Sequence, residues 1–141
     1  MTRDEMRARI ERQHEIWKRG DLDAIPGVDT VAFVAQMPKG WGSAEARNGH
    51  DGIRRALERG RQGFPDWHEH IEAMAIEGDT VAVGDHSTGT HPATFGARPA
   101  SGHRLRVDEL SIFRIAGGRA ADQWCLNDDL AFDKQLRGES L

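Results

Sequence analysis

Glu109 and Ser111 are two residues apart in a segment whose composition predicts a β-strand. Side chains at this spacing lie on the same face of a strand, so the carboxylate and the hydroxyl would share one environment. If that environment is an apolar cavity, burial raises the pKa of the carboxylate toward neutral pH, which suits a general base. The alternative interpretation places Glu109 at a rim, where it pairs with one of the nearby arginines: Arg104, Arg106 or Arg114.

Asp128 and His91 are further candidates for proton transfer. Asp128 begins the segment DDLAFDKQL, where an aspartate can also cap the first turn of a helix, and we favour that structural role. His91 ends the segment Gly89-Thr90-His91, where a histidine either transfers protons or holds the turn before Pro92. Together with the glutamate above, these residues complete the set of catalytic candidates.

His68, His70 and Glu72 alternate along another predicted strand. Their side chains would share one face and could converge on a divalent metal ion. Alternating polar residues are more typical of a solvated strand face, and no third histidine follows at ligand spacing, so we expect no metal. The sequence also has no glycine-rich phosphate loop, nucleophile elbow or Cys-x-x-Cys motif, and we expect no cofactor.

The composition predicts a globular protein. Its 141 residues, 38% apolar and 30% charged, fit one domain over residues 1–141, since single domains usually have ~100–150 residues. A net charge of −4 with interspersed signs argues against a nucleic-acid partner. The charged N-terminal segment lacks the apolar core of a signal peptide, and no apolar run approaches the ~20 residues that span a bilayer. We therefore expect a cytoplasmic protein with no membrane partner, and the single cysteine, Cys125, is compatible with a reducing compartment.

The N-terminal third has the pattern of helices. Thr2 and Glu5 have the spacing of a capping box, and Gly20 suits the left-handed position after a last turn, so we predict a helix over residues 3–19. The other elements predicted here are a turn at residues 21–25 ended by Pro26 and Gly27, a strand at 31–36, and a helix at 52–61 capped by Asp51.

From Trp67 the pattern changes to an alternation with a period of two. The odd-numbered residues from Trp67 to Ala75 would share one face, and the even-numbered residues from His68 to Ile76 the other. The turns and later elements are predicted at Gly78-Asp79, at Gly117-Gly118, in strands at 80–90, 103–115 and 119–127, and in a closing helix from Asp128. This order makes an α+β fold, and its curved sheet would enclose a pocket.

Short segments spread over nearly the whole chain resemble the SnoaL-like polyketide cyclase family of the NTF2-like superfamily. They are WKRGD at 17–21, GHDGI at 49–53, FPD at 64–66, EGDTVAV at 77–83, GTH at 89–91, Phe113 to Ile115 before Gly118, Trp124 with Asp128, and Gln135-Leu136. The resemblance implies a cone-shaped α+β barrel, in which a curved, mainly antiparallel sheet wraps around N-terminal helices and leaves an interior cavity. It also implies a homodimer through the outer sheet face and chemistry without a cofactor.

At two positions the chain departs from the catalytic residues that this resemblance implies. In the cyclases, a carboxylate on the last strand and a histidine on the strand before it serve an aldol ring closure. The corresponding positions here hold Cys125 and Ser111. A thiol with its usual pKa of about 8.5 is mostly neutral at neutral pH and substitutes poorly for a carboxylate base. We interpret Cys125 as a buried thiol of the cavity wall, and the alternative is an activated nucleophile.

The implied cavity would bind a small apolar molecule. Its wall is predicted to contain the following residues: Trp17, Met37, Trp41, Phe64, Ser111, Phe113 and Cys125. Such a wall suits a flat carbonyl compound, so the leading hypothesis is a cofactor-independent acid/base enzyme of the cyclase, isomerase or dehydratase type. The alternative is a non-catalytic binding or accessory protein with the same cavity. A third option, an epoxide hydrolase, would require an Asp–Arg–Asp set, and we assign none.

Overall fold

The computed structural model describes residues 1–37, 48–91 and 99–141. Its elements, in chain order, are α1 (Arg3–Arg19), a 3-10 turn (Leu22–Ala24), α2 (Ile25–Val28), β1 (Asp29–Gln36), α3 (Gly49–Gly63), β2 (His68–Glu77), β3 (Thr80–Thr90), β4 (Arg104–Ala116), β5 (Arg119–Asn127) and α4 (Asp129–Leu136).

The five strands form one curved, unclosed sheet in the order β1-β5-β4-β3-β2. Strands β2 to β5 are antiparallel neighbours joined in sequence, and β1 pairs parallel to β5 at the edge. The turn glycines Gly78, Gly117 and Gly118 have positive φ, a conformation that glycine adopts without strain. The α+β fold with a mainly antiparallel curved sheet, as predicted, is confirmed.

Helix α1 forms as its terminal residues predict. Thr2 and Glu5 make both hydrogen bonds of a capping box, and Gly20 ends the helix with φ 70°. Met6, Ile10 and Ile16 are buried along one face, so the helix packs its apolar stripe against the sheet. The predicted bounds of this helix are correct.

Two predictions for the next helices are wrong. Pro26 and Gly27 lie inside the short helix α2 and do not end a turn, because a proline is tolerated in the first turn, where its missing N–H has no intrahelical acceptor. Helix α3 begins at Gly49 after Asn48, so Asp51 lies in its first turn and is not the N-cap. The side chain of Asn48 instead accepts a hydrogen bond from the backbone N–H of Ala35 in β1, at 3.1 Å.

The alternation predicted for β2 holds only for its first half. The pairing of β2 with β3 changes register between Ile71 and Ala73, which is a β-bulge. Because a bulge inserts one residue, the inward face moves from odd-numbered to even-numbered positions. Ile76 is therefore buried and Met74 packs against the core, whereas Ala73 and Ala75 are exposed, contrary to the prediction.

The main core fills the space between the helices and one half of the inner sheet face. It includes the following buried residues: Met6, Ile10, Ile16, Ile25, Val28, Phe33, Ile53, Leu57, Val81, Val83, Phe113 and Ile115. A second, smaller cluster of Phe64, Leu105 and Leu136 lies under α4, with Trp67 and Phe132 packed against it. Within the described ranges, no helix combines the length and apolar character that a bilayer crossing requires.

Candidate active site

An open cavity lies where the two apolar clusters meet, between α1, α3, α4 and the inner face of the sheet. Its volume is about 120 Å³. Its apolar wall consists of these side chains: Trp17, Leu57, Phe64, Trp67, Val107 and Phe132. Its polar lining comes from Gln13, His14, Glu69, Ser87, Glu109, Gln123 and Asn127, with Arg59 and Arg61 from α3. An apolar wall with a few convergent polar groups is the usual form of a small-molecule site.

Glu109 lines this cavity and is held by a chain of hydrogen bonds. The Oγ of Ser111 donates to Oε1 of Glu109 at 2.8 Å, and Nε2 of Gln123 donates to the same Oγ at 2.9 Å. Ser111 is fully buried and Gln123 nearly so, so the chain orients the carboxylate from beneath. A carboxylate fixed in this way presents its remaining acceptor capacity to the cavity.

The rim alternative for Glu109 does not match the contacts of the arginines on its strand. Arg106 pairs with Glu72 and Asp108, and Arg114 pairs with Asp122. These arginines point to the outer face of the sheet, whereas Glu109 faces inward with Ser111.

Asp85 and His14 are buried next to Glu109, and sequence analysis did not single them out. Asp85 is 4% exposed and lies directly across the β3–β4 pairing from Glu109. Its Oδ2 is 3.9 Å from Nε2 of His14, whose Nδ1 lies 2.9 Å from the carbonyl oxygen of Ile10. The signal was present in the sequence, because Val81, Val83 and Asp85 fall on the same face of β3.

Burial changes the protonation of both groups in this pair. It raises the pKa of Asp85 to about 8, and the charge of Glu109 adds to the increase. Burial lowers the pKa of His14, against opposing contributions from the Ile10 carbonyl and Glu109. The pair thus favours its uncharged forms at neutral pH.

Ser111 and Cys125 are cross-strand partners on the inner face, both buried. The Sγ of Cys125 donates to Oδ1 of Asn127 at 3.2 Å. In the described part of the chain, Gln123 and Asn127 supply the cavity lining from β5, so the thiol lies behind that lining. The hydroxyl of Ser111 does not line the cavity, and its link to the cavity is the hydrogen bond that it donates to Glu109.

The predicted aromatic wall is present in part. Trp17 and Phe64 line the cavity. Phe113 is fully buried in the main core, with its ring 6.2 Å from that of His14 in an edge-on arrangement, and Met37 packs against the same core. Trp41 lies outside the described residues.

His91 and Asp128 have structural contacts and lie outside the cavity lining formed by the described residues. The ring of His91 is fully buried, stacks on Phe64 at 5.2 Å and approaches Oγ of Ser101 at 3.1 Å, and burial lowers its pKa. Asp128 is exposed, and its Oδ1 accepts from the backbone N–H of Ala131 at 2.9 Å, as the N-cap of α4. Glu109 is thus the one catalytic candidate that the structure brings to the cavity.

The histidines of β2 lie on the outer face of the sheet. The ring centroids of His68 and His70 are 4.1 Å apart, and those of His70 and His86 are 4.7 Å apart. Nδ1 of His86 lies 2.6 Å from Oε1 of Glu72. Over the described ranges, no three histidine, cysteine or carboxylate side chains are grouped so that they could hold a metal ion.

The fold and the cavity define the class of this protein as an α+β protein in which a curved sheet and its covering helices enclose an interior cavity. The chain belongs to the SnoaL-like polyketide cyclase family, whose model matches residues 8–136. The family predicted from the sequence is therefore confirmed. A search among curated proteins gives no match.

Solved structures of similar fold include three with long alignments. A candidate polyketide cyclase from Bacillus cereus ATCC 10987 is 26% identical with a TM-score of 0.79, and the alignment covers 96% of this chain and 83% of that one. TsrD from Streptomyces laurentii is 23% identical with a TM-score of 0.84, over 96% and 97% of the two chains. IdmH from Streptomyces antibioticus, a candidate polyketide cyclase, is 24% identical with a TM-score of 0.81, over 94% and 98%.

Proposed function

We propose that this protein is a cofactor-independent acid/base enzyme that acts on a small apolar carbonyl compound, with Glu109 as the general base. The observation that carries the proposal is the position of Glu109 in the cavity, where Ser111 and Gln123 orient its carboxylate. The reaction class is enolisation followed by ring closure, isomerisation or dehydration, in keeping with the family to which the chain belongs.

The first step is a proton transfer from carbon to Glu109. The carboxylate takes a hydrogen from the carbon next to the substrate carbonyl, and the electrons of that C–H bond form an enolate. In a ring closure, the enolate carbon then attacks a second carbonyl of the same molecule, and the resulting alkoxide receives a proton. A positioned acid/base group typically contributes about 100-fold or more to such a step.

The apolar wall supports an apolar, flat substrate. Trp17, Phe64, Trp67 and Phe132 contribute aromatic rings to the cavity lining, and the ring of Phe64 contacts those of Trp67 and Phe132. Aromatic side chains bury large apolar areas and stack on flat rings. A polyketide-like carbonyl compound would fit this lining, with its reactive carbonyl end at Glu109.

The test measures proton abstraction directly with β-tetralone, a flat apolar ketone whose acidic hydrogens flank its carbonyl. NMR would follow the exchange of those hydrogens for deuterium in deuterated water. The wild-type protein should accelerate the exchange, and Glu109→Gln should lose about 100-fold or more of that acceleration. Asp108→Asn is the matched control, because it removes a carboxylate from the adjacent residue on the outer face.

A second candidate function is non-catalytic binding of the same kind of molecule. It is favoured by Ser111 and Cys125, which occupy the positions of the family acid/base pair and lie buried behind the cavity lining. Calorimetric binding of β-tetralone without any acceleration of exchange would support this candidate and reject the enzyme.

We also propose that a second copy of the chain covers the outer face of the sheet. Leu110 and Leu126 face each other across β4 and β5, as do Ile112 and Trp124, and all four side chains are exposed. A contiguous patch of exposed apolar side chains is typical of an interaction site. The expected assembly is a homodimer, in keeping with the sequence-based expectation.

A further inference from the structure

A buried acid and a buried imidazole lie next to Glu109, and the proposed base does not account for them. Asp85 is on β3 and His14 on α1, so two separate elements bring them together. Both are nearly inaccessible to solvent, at 4% and 6% exposure. Titratable groups are rarely buried in this way without a compensating role or partner.

The hydrogen bond at Nδ1 fixes the tautomer of His14. A carbonyl oxygen can only accept a hydrogen bond, so Nδ1, at 2.9 Å from the Ile10 oxygen, must carry a proton. In the neutral ring, Nε2 therefore bears the lone pair. That lone pair lies 3.9 Å from Oδ2 of Asp85. An ionised Asp85 would place its negative charge near this lone pair, so the arrangement favours a protonated Asp85.

The charges around Asp85 and the burial of His14 keep the proton on Asp85. Glu109 faces Asp85 from β4, and Glu72 and Asp108 add negative charge from the outer face of the sheet. An ionised Asp85 would thus be buried among like charges. Over the described residues, its Oδ1 has no hydrogen-bond partner, as an ionised carboxylate would need. Burial also disfavours a charged imidazole at His14, against the smaller opposing contributions of the Ile10 carbonyl and Glu109.

We propose that Asp85 holds a proton that it can pass to His14 and that, with Glu109, the two groups form a single proton-transfer unit in which His14 is the acid that reaches the substrate. Glu109 and His14 both line the cavity, so a base and an acid would face the same ligand. Asp85 does not contact the ligand and acts through His14 as a positioning residue. This inference rests on the proposed function and extends it.

The proton balance of the unit closes over one turnover. Glu109 takes the substrate hydrogen, while the proton of Asp85 passes to Nε2 of His14 and from there to the new substrate oxyanion. This leaves Glu109 protonated, His14 neutral and Asp85 ionised. Because Asp85 and Glu109 are cross-strand neighbours, the proton of Glu109 can then return to Asp85 and restore the starting state.

The test is nitrogen NMR of the histidine rings in the free, full-length protein, without any ligand. His14→Gln identifies the His14 signals by their loss. In the wild type at neutral pH, the ring should be neutral with its proton on Nδ1, and Nε2 should shift as pH rises through about 8, where Asp85 loses its proton. Asp85→Asn should abolish that shift, and Asp108→Asn should retain it.

Two results would overturn the proposal. A doubly protonated His14 in the wild type at neutral pH would show that the proton resides on the imidazole and not on Asp85. An unchanged titration of His14 in Asp85→Asn would show that no proton passes between the two groups. If Asp85→Asn does not fold, the protonation state of wild-type His14 alone still decides. If Glu109 is not the base, Glu109→Gln will exchange deuterium at the wild-type rate, and that result does not depend on the NMR of the histidine rings.

Discussion

The two faces of strands β3 and β4 carry similar residues that behave differently. On the inner face, Asp85 and Glu109 are cross-strand partners, and burial raises the pKa of Asp85 to about 8. On the outer face, the next pair along is His86 with Asp108. There, Arg106 and His86 donate to Glu72 and lower the pKa of that carboxyl. Burial, and not residue type, therefore separates candidate chemistry from ordinary surface ion pairs.

The largest stability difference between the faces is expected at two adjacent residues of β4. Phe113 is fully buried on the inner side, whereas Ile112 is 40% exposed on the outer side. Phe113→Ala should cost about 3–5 kcal/mol of unfolding free energy, because it leaves a cavity in the core. Urea unfolding of dilute, monomeric protein would measure both variants, and an equal loss in Ile112→Ala would contradict the assignment of the faces.

The pH dependence of stability should distinguish Asp85 from Asp108. The folded-state pKa of Asp85 is raised from 3.8 to about 8, so its stabilising contribution is complete below its unfolded pKa and is lost as pH rises toward 8. Over that window the wild type should lose up to about 1.4 kcal/mol per pH unit relative to Asp85→Asn.

Urea unfolding at several pH values would measure this difference. Asp108→Asn is the control and should keep the wild-type slope with at most a small displacement in pH, because Asp108 is the smallest of the charge contributions at Asp85. A constant difference between Asp85→Asn and the wild type across the window would mean that Asp85 is ionised in the folded state.

Self-association should depend on the outer face alone. Trp124 is 55% exposed next to the leucines of β4 and β5, and a lysine there would place a charge in the proposed interface. Sedimentation should show a dimer for the wild type and a monomer for Trp124→Lys. Leu141→Lys, the same change at an exposed terminal residue, should remain dimeric, and a dimer in both variants would reject this interface.

The smallest effect is expected for the outer ion pairs. Glu72 is exposed and contacts His86 and Arg106. Exposed ion pairs contribute little because water and salt screen them. The melting temperature of Glu72→Gln should equal that of the wild type within experimental error, and a large decrease would show that this surface network has a structural role.

Sequence patterns predicted elements that depend on local interactions. The capping box at Thr2 and Glu5, the bounds of β3 and the turn at Gly117-Gly118 all follow from residues close in sequence. The bulge in β2 was not predicted, because it is set by pairing with β3, although the large apolar residues do move from Ile71 to Met74 and Ile76.

The candidate site could be predicted only where it depends on local patterns in the sequence. The strand period correctly placed Glu109 with Ser111 on the inner face. It could not show that His14, 71 residues before Asp85 in the sequence, lies near Asp85, since that approach depends on how α1 packs across the sheet. The role of His91 was open from sequence, whereas the helix-capping role favoured for Asp128 agrees with its hydrogen bond to Ala131.

The most direct measurement of the central claim is the ratio of deuterium-exchange rates of β-tetralone in Glu109→Gln and Asp108→Asn. These variants remove the same kind of charge from adjacent residues on opposite faces of β4. We expect Glu109→Gln to be slower by about 100-fold or more and Asp108→Asn to keep the wild-type rate. Equal rates in the two variants would contradict the role of Glu109 as the base.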